Sequence, residues 1–170
     1  MIDVSGKVRA RVPWGTFDAE EVRALYDDYA AALDAGDHAA WLDLFIDDAS
    51  YVVVPLENVE RGLPLATIRC ESRGMLADRV DALVTTQFLA RRITRHVITA
   101  VRPVGGGTGD RLETTASFLL LETIEGADTR VQCAGTYDDI VVVTAAGLRF
   151  AGKRAIYDAG LVPTSMAALL

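Results

Sequence analysis

Three long runs of alternating polarity follow one another between Arg111 and Asp158. The runs are Arg111–Thr123, Thr129–Val143 and Leu148–Asp158. Their period of two, with many Val, Thr and aromatic residues, is typical of β-strands. The separators at 125–128 and 144–147 each contain Gly, which tolerates the positive φ of a tight turn. The runs therefore predict an antiparallel meander whose strands are long enough to twist and curl.

The alternation also predicts which side chains share a face. In the second run, one face carries Val131, Cys133, Tyr137, Val141 and Val143. In the third run, one face carries Leu148, Phe150, Arg154 and Ile156. A curled sheet needs something to fill its concave face, and the N-terminal half of the chain supplies helices.

Two helices are predicted before the first strand. Asp18 is the N-cap of the first helix, and Gly36 is its stop. The helical spacing of its apolar side chains includes Val22, Leu25, Tyr26, Tyr29 and Leu33. Asp37 caps a second helix whose apolar face carries Trp41, Leu44 and Phe45, and which ends at Asp47 and Asp48.

Further elements complete an α+β order. We predict strands at Tyr51–Val54, Leu65–Cys70 and Arg92–Arg102, a loop at Leu56–Pro64, and a third helix capped by Ser72. The imperfect alternation of Arg92–Arg102 indicates either a bulge or a strand covered on both faces. Helices first and strands later predict a curved, mostly antiparallel sheet wrapped around N-terminal helices as a cone. We expect an arm at residues 1–16 and a single domain at 17–170.

Composition narrows the possible partners. The net charge is −7, and 51% of residues are hydrophobic, which is typical of a folded globular protein. An acidic chain is a poor partner for nucleic acid or an anionic membrane surface. No apolar run reaches the length of a membrane span, and residues 1–11 lack the apolar core of a signal peptide. We therefore expect a cytoplasmic protein whose Cys70 and Cys133 are reduced thiols.

The residues that commonly bind metals are few and scattered. They are His38, Cys70, His96 and Cys133. A Rieske cluster needs two Cys and two His in close pairs, so we predict no metal and no cofactor site in this chain. The glycine run at 105–109 lacks a following Lys-Ser/Thr, which favours a hairpin tip over a phosphate loop.

One set of residues has the chemistry for moving a proton inside a cone. The candidate pocket contains Tyr29, Asp48, Tyr51 and His96, with Tyr26 and Asp47 as further members. The alternative is that the tyrosines simply pack with their hydroxyls at the rim, and that the aspartates are turn residues. Both interpretations stay open from the residues alone.

Ordered motifs along the chain resemble one family. They are Trp41–Phe45 with Asp48, Ala49, Tyr51 and Pro55, Arg73–Leu76 with Asp78–Val80 and Leu83, Thr94–Thr99 with Val101, Ala134–Asp139, and Phe150 with Lys153. In order and spacing they resemble the small (β) subunit of aromatic-ring-hydroxylating dioxygenases, the Rieske non-haem iron oxygenases. The resemblance runs from Phe17 onward. Two departures are Ala100, where many relatives carry Asn, and a longer glycine run.

The resemblance implies a nuclear-transport-factor-2-like (cystatin-like) cone and a structural role without catalytic residues. It implies a large (α) subunit that holds a Rieske 2Fe-2S cluster and a mononuclear non-haem iron, within an α3β3 assembly. It also implies NAD(P)H as the electron source through a reductase, and dihydroxylation of aromatic compounds in their catabolism.

Two alternatives and one assembly hypothesis accompany this reading. The same fold serves stand-alone dehydratases and isomerases, and a non-catalytic homotrimeric binding module is the other alternative. We expect a self-trimer from three features: the apolar tail Leu161–Leu170, the apolar outer faces of the strands, and the Arg91–His96 run. The arginines of that run would pair with Glu57 or Glu60 of a neighbour.

Overall fold

A computed structural model describes residues 12–86, 92–104, 109–158 and 169–170. Within these ranges the helices are α1 (Ala19–Ala35), α2 (His38–Leu42), α3 (Leu56–Glu60) and α4 (Arg73–Thr86). The strands are β1 (Phe45–Pro55), β2 (Ile68–Cys70), β3 (Arg92–Pro103), β4 (Arg111–Ile124), β5 (Arg130–Thr144) and β6 (Gly147–Tyr157).

The strands form one six-stranded sheet in the order β2-β1-β6-β5-β4-β3. Neighbours are antiparallel except for β1 and β6, which run parallel. Helix α1 packs against β3 and β6, and the apolar face that it buries joins the core beside the sheet. The predicted α+β class, with a mostly antiparallel sheet against N-terminal helices, is confirmed.

Helix α1 begins and ends where the sequence predicts. The Asp18 carboxylate accepts a hydrogen bond from the Glu20 amide at 2.7 Å, and Gly36 closes the helix at a φ of 69°. The predicted apolar stripe is buried, including Tyr26 and Tyr29.

The second helix is shorter than predicted, and the prediction for Phe45 is wrong. Helix α2 ends at Leu42, and Phe45 is the first residue of β1. The reason is pairing with β6, because Phe45 lies opposite Phe150, whose amide donates to the Leu44 carbonyl at 2.8 Å. Trp41 remains in the core and is fully buried.

The connection from β1 to α4 differs from the prediction in two places, and one of them is the strand predicted at Leu65–Cys70, which begins only at Ile68. The segment predicted as a loop contains the short helix α3. Ser72 caps α4 as predicted, since its hydroxyl accepts a hydrogen bond from the Met75 amide at 3.2 Å.

The irregular alternation of β3 comes from a bulge, the first of the two predicted explanations. The register with β4 shifts between Thr99 and Arg102. Ala100, inside the shift, has a φ of 54°. This value lies in the left-handed region that residues with a Cβ rarely adopt.

Bulges also correct the predicted faces of β5 and β6. In β6, Phe150 pairs with Val141 and Gly152 with Ile140, so Ala151 has no opposite residue. The extra residue reverses the alternation, so that Lys153 is buried and Arg154 is exposed. Arg154 therefore does not share the face of Phe150.

A second shift moves a valine of β5 out of the core. Leu120 pairs with Cys133 and Leu121 with Val131, so the register changes at Gln132. Val131 is 59% exposed, and Val143 at the far end of β5 is 51% exposed. Val131 therefore leaves the face of Cys133, contrary to the prediction, whereas Val143 keeps the alternation of Val141 and is exposed because it lies at the end of the strand.

Some predictions fall on residues that the structure does not describe. These are the N-terminal arm up to residue 11, residues 105–108 of the glycine run, Arg91, and residues 161–168 of the apolar tail. The boundary between an arm at 1–16 and a domain at 17–170 stays a prediction. In the described part of the chain, no helix is both long and apolar enough to cross a membrane. Cys70 and Cys133 are free and buried, as expected.

Candidate functional site

Strand register brings three polar side chains into one row inside the cone. On β6, Lys153 lies opposite Tyr51 of β1 on one side and Asp139 of β5 on the other. Because residues directly opposite in a sheet project to the same face, the three side chains lie on one face of the sheet. The bulge at Ala151 turns Lys153 toward this face.

Asp139 and Lys153 form an ion pair deep in the core. Lys153 Nζ lies 2.9 Å from Asp139 Oδ2, and both side chains are 0% exposed. Tyr26 donates its hydroxyl proton to the same carboxylate oxygen at 2.7 Å, and the Arg154 amide donates to the other oxygen at 3.1 Å. The Tyr26 oxygen lies 2.8 Å from the Thr114 hydroxyl. Every carboxylate oxygen therefore has a donor, as a buried charge requires.

Burial is the largest influence on the pKa of each member of this pair. It raises the pKa of Asp139 above its ordinary value, while the charge of Lys153 opposes that rise. It lowers the pKa of Lys153, while the charge of Asp139 opposes that fall. Burial likewise raises the pKa of Tyr26 well above its ordinary value.

Aromatic rings enclose the ammonium group. Lys153 Nζ lies 3.5 Å from the ring centroid of Tyr137 and 4.2 Å from that of Tyr29. Phe118 stacks on Tyr137 at a centroid distance of 4.5 Å. The buried hydroxyl of Tyr137 has no hydrogen-bond partner among the described residues. The Tyr137 hydroxyl, beside the ion pair, is thus a buried polar group that the described part of the chain does not hydrogen-bond.

Residues 169 and 170 lie inside the protein, against two tyrosines. The hydroxyls of Tyr29 and Tyr51 both donate to the main-chain oxygen of Leu170, the second at 2.7 Å. The Leu170 amide in turn donates to the Tyr51 oxygen at 2.9 Å. Burial raises the pKa of both tyrosines, so their hydroxyls remain donors.

His96 holds the same segment from β3. Its Nε2 lies 3.0 Å from the Leu169 carbonyl oxygen, and a carbonyl oxygen only accepts, so Nε2 is the donor. Its Nδ1 lies 2.7 Å from Asp34 Oδ1 on α1, and the His96 amide donates to both oxygens of that carboxylate at 3.0 and 3.1 Å. Asp34 therefore fixes the ring that faces Leu169.

The structure brings together three of the four residues of the predicted pocket. Tyr29, Tyr51 and His96 all bond to residues 169 and 170. Asp48 is exposed on β1, so its predicted place in the pocket is wrong. Asp47 is also at the surface, 3.9 Å from Arg73. Both aspartates belong to β1, which begins at Phe45, and both side chains are exposed in that strand.

Sequence reasoning missed the two carboxylates that bond to residues of this site, Asp139 and Asp34. Asp139 shares its alternation with Tyr137 and Val141, and this signal was available in the sequence. Lys153 could not be found from alternation, because an unbroken period of two after Phe150 turns it outward. Among the described residues, no group of three or more His, Cys, Asp or Glu is arranged to hold a metal ion. The absence of a cofactor in this chain stays a prediction.

A second buried carboxylate lies at the far end of β4 and explains part of the arginine run. Glu122 is fully buried, and Arg130 Nη2 lies 2.7 Å from its Oε2. Arg92 Nη1 bonds to the other oxygen. Burial raises the pKa of Glu122, but the hydrogen bonds from Arg130 and Arg92 outweigh it and lower the pKa below its usual value. Arg92 is thus engaged within its own chain, and Glu57 pairs with Arg61 at 2.9 Å.

Comparison with known proteins agrees with this fold. Residues 16–154 match the model of the SnoaL-like domain family. The chain therefore belongs to the SnoaL-like family, whose cone is the nuclear-transport-factor-2-like fold that the sequence predicts.

Similar proteins assign the chain to a narrower family. The chain is 33% identical to the anthranilate 1,2-dioxygenase small subunit of Burkholderia cepacia, over 86% of this chain and 91% of the relative. It is 25% identical to a β subunit of the terephthalate 1,2-dioxygenase terminal oxygenase component of a Comamonas species, over 86% and 95%. A solved structure from Novosphingobium aromaticivorans, described as the β subunit of an aromatic-ring-hydroxylating dioxygenase, has a TM-score of 0.78 and 33% identity, over 88% of this chain and 94% of that one. The chain is a member of the small-subunit family of aromatic-ring-hydroxylating dioxygenases.

Proposed function

We propose that this chain is the structural small subunit of an oxygenase that dihydroxylates an aromatic carboxylate. The observation that carries the proposal is the 33% identity to the anthranilate dioxygenase small subunit over nearly the whole length of both chains. Anthranilate and terephthalate, named in the relatives, share a carboxylate on an aromatic ring. Their common chemistry supports the substrate class.

The proposed partner is a large subunit that carries the Rieske 2Fe-2S cluster and the mononuclear non-haem iron. Electrons would come from NAD(P)H through a reductase, and the assembly would be α3β3 in the cytoplasm. The metal-binding work falls to the partner in this proposal, because the few His and Cys of this chain are scattered along it.

A structural role is supported by the way the cone is filled. In a stand-alone dehydratase or isomerase, Tyr29, Tyr51 and His96 would face a substrate. Here their polar atoms bond to the main chain of Leu169 and Leu170. The alternative of a catalytic cone therefore has less support from the geometry than the structural role.

The outer face of the sheet supports contact between subunits. Val97 of β3 lies opposite Leu119 of β4, and Leu121 lies opposite Val131 of β5. Together with Ile93, these side chains form an outer patch that is apolar except for Arg95, which lies opposite Leu121. Its members Ile93, Val97 and Val131 are 45%, 43% and 59% exposed. An exposed apolar patch of this kind is typical of a protein–protein interface.

Co-expression tests the proposal. The chain would be produced together with a Rieske-type large subunit, and the mixture would be separated by size-exclusion chromatography. We expect co-elution of both chains and turnover of anthranilate or terephthalate only when both subunits and the reductase are present. Each subunit alone is the control. Separate elution together with dehydratase or isomerase turnover by the isolated chain would overturn the proposal, and separate elution without turnover would favour the homotrimeric binding module.

A further inference from the structure

A cleft of about 210 Å³ lies between α1, α4 and β3. Part of its lining is apolar and consists of Leu33, Leu83, Val84 and Leu169. Val84 is 65% exposed, so this wall can be reached from solvent. The cleft is smaller than the roughly 300–1,000 Å³ of sites for drug-sized molecules, which limits an occupant to a small molecule of about one ring.

Arg92 supplies the cleft with a cation that has an unused side. Its Nη1 bonds to Glu122 Oε1, whereas its buried Nε has no hydrogen-bond partner among the described residues. The N–H groups of a guanidinium form a rigid fork that matches a carboxylate with two parallel hydrogen bonds. A ligand carboxylate therefore has a partner on the side of Arg92 that Glu122 does not use.

The charges beside the cleft favour an anion. Burial opposes the ionisation of Glu122, but the hydrogen bonds from Arg130 and Arg92 outweigh it and lower its pKa. This single carboxylate faces two guanidinium groups, so the cluster has a positive charge in excess. His96, which also lines the cleft, is already bonded to the Asp34 carboxylate at 2.7 Å. An anion bound at Arg92 would offset the excess charge, whereas a cation would add to it.

We infer that this cleft is a binding site for a small carboxylate with an apolar body, the class to which a one-ring aromatic acid belongs. The carboxylate would bond to Arg92 Nε and to the hydroxyl of Thr94, which also lines the cleft. The apolar body would lie against Leu33, Leu83 and Leu169. The inference does not rest on the proposed function, since every group of the site belongs to this chain.

The charge of the ligand is the property that such a site distinguishes. Benzoate and benzamide have nearly the same shape, but only benzoate is charged. Hydrogen bonds between a guanidinium and a carboxylate are about twice as strong as those between neutral groups. We therefore expect benzoate to bind at least about tenfold more tightly than benzamide.

The experiment titrates the full chain with sodium benzoate at constant ionic strength and follows the amide and arginine Nε–H signals by NMR. We expect saturable shifts of the Arg92 Nε–H signal and of the Thr94 and Leu83 amide signals below about 10 mM benzoate. Benzamide is the matched neutral probe. Absence of saturable shifts with benzoate up to about 10 mM, or equal affinities for the two probes, would overturn the inference.

A matched pair of arginine variants tests the role of Arg92. Arg92→Gln should weaken benzoate binding at least about tenfold, because the ligand loses its charged partner. Arg130→Gln is the control, since Arg130 bonds to the same Glu122 but does not line the cleft and has a side chain that is 55% exposed. Solvent screens its charge, so the loss of affinity should stay below about fivefold. Equal losses of affinity in the two folded variants would contradict the inference.

A second pair of variants applies even where Arg92→Gln does not fold. Val84 is exposed on α4, so its replacement leaves the core intact. Val84→Glu places a negative charge in the lining and should weaken benzoate binding by about threefold or more. Val84→Gln is the neutral control and should retain the affinity within about twofold. Equal affinities of these two variants for benzoate would refute the proposed class of ligand.

Discussion

Ala100 has a backbone conformation that its side chain disfavours. Its φ of 54° lies in the left-handed region, within the bulge of β3. Asn tolerates this region better than Ala does, because its short polar side chain can hydrogen-bond locally. An Asn at this position, which the sequence resemblance leads us to expect, would therefore fit the backbone conformation better than Ala does.

Ala100→Asn should relieve that strain. We expect the free energy of unfolding to rise by about 0.5–1 kcal/mol, and Ala100→Gly to give a similar or smaller gain because Gly is more flexible in the unfolded chain. Urea denaturation of the three proteins measures the difference. A lower free energy of unfolding for Ala100→Asn would show that the left-handed conformation is not retained in solution.

The buried ion pair is the second feature at this scale. Lys153→Met leaves the Asp139 carboxylate in the core without its cation, and should lower the free energy of unfolding by about 3–5 kcal/mol. Lys153→Met with Asp139→Asn should lose less than the sum of the two single changes, because neither partner is left charged and unpaired. A double-mutant cycle by urea denaturation at pH 7 measures the coupling. Strictly additive losses would show that the two groups do not interact.

Glu122 makes the free energy of unfolding depend on pH, and the direction of its pKa shift gives the sign of that dependence. Its pKa is lower in the folded protein than in the unfolded chain, so its contribution is fully present above the unfolded pKa and is lost as the pH falls through the folded pKa. Glu122→Gln should lower the free energy of unfolding by about 1–3 kcal/mol at pH 7. The gap to the unaltered protein should narrow below about pH 4.

Denaturation at several pH values tests this expectation. Glu113→Gln on the exposed face of the same strand is the control, and it should change the free energy of unfolding little at any pH. A gap for Glu122→Gln that stays constant from pH 7 to the acid limit would contradict the assignment.

At the scale of elements, β5 and β6 approach too closely for a side chain at Gly135. A Cβ there would lie 2.0 Å from the Ile156 carbonyl oxygen and 2.8 Å from Tyr157 Cα. Both are backbone atoms, so relief requires the strands to separate. Gly135→Ala should lower the free energy of unfolding by at least about 2–3 kcal/mol.

Gly74 on α4 offers the matched control. A Cβ at this position would meet only the Ser72 hydroxyl at 3.6 Å, an ordinary contact. Gly74→Ala should leave stability unchanged or raise it by up to about 1 kcal/mol. Thermal unfolding followed by circular dichroism compares the two variants, and equal melting temperatures would show that the strands are farther apart.

The elements also show how far sequence reasoning reaches. Capping residues and periodicity predict α1, α4 and the meander correctly, because these signals are local. The prediction for Phe45 is wrong because the signal that places it in β1 is its pairing with Phe150, which lies far along the chain. The inward turn of Lys153 depends on an extra residue in β6 that alternation cannot reveal. Local signals in the sequence therefore predict the fold and three of the pocket residues. The Asp139–Lys153 ion pair depends on strand register, which these local signals do not reveal.

At the scale of the whole molecule, the apolar outer patch carries the proposed self-association. Leu169 and Leu170 are buried in their own chain, so these two residues of the apolar tail are not available to a neighbour as the sequence had predicted. The arginine run gives less support than expected, since Arg92 is bonded to Glu122. The proposed trimer thus depends on the patch of Ile93, Val97, Leu119, Leu121 and Val131.

Val97→Lys places a charge in this patch and should dissociate the trimer. Light scattering at micromolar concentration is expected to give three times 18.3 kDa for the unaltered chain and 18.3 kDa for the variant. Leu65→Lys, at a residue 70% exposed outside the patch, is the control and should remain trimeric. A monomeric unaltered chain would refute self-trimerisation, and a stable dimer would favour the isomerase-like alternative.

The position of β6 has a consequence for the order of folding. The pairs β3–β4, β4–β5 and β5–β6 join neighbours along the chain, so the meander forms from nearby contacts. Strand β1 instead pairs in parallel with β6, from which it is separated by most of the sequence. During synthesis, α1 and β1 therefore leave the ribosome before the strand that covers them exists, with their apolar side chains open to solvent. The parallel β1–β6 contact is the late and slow step, and the N-terminal half is the part of the nascent chain most exposed to aggregation.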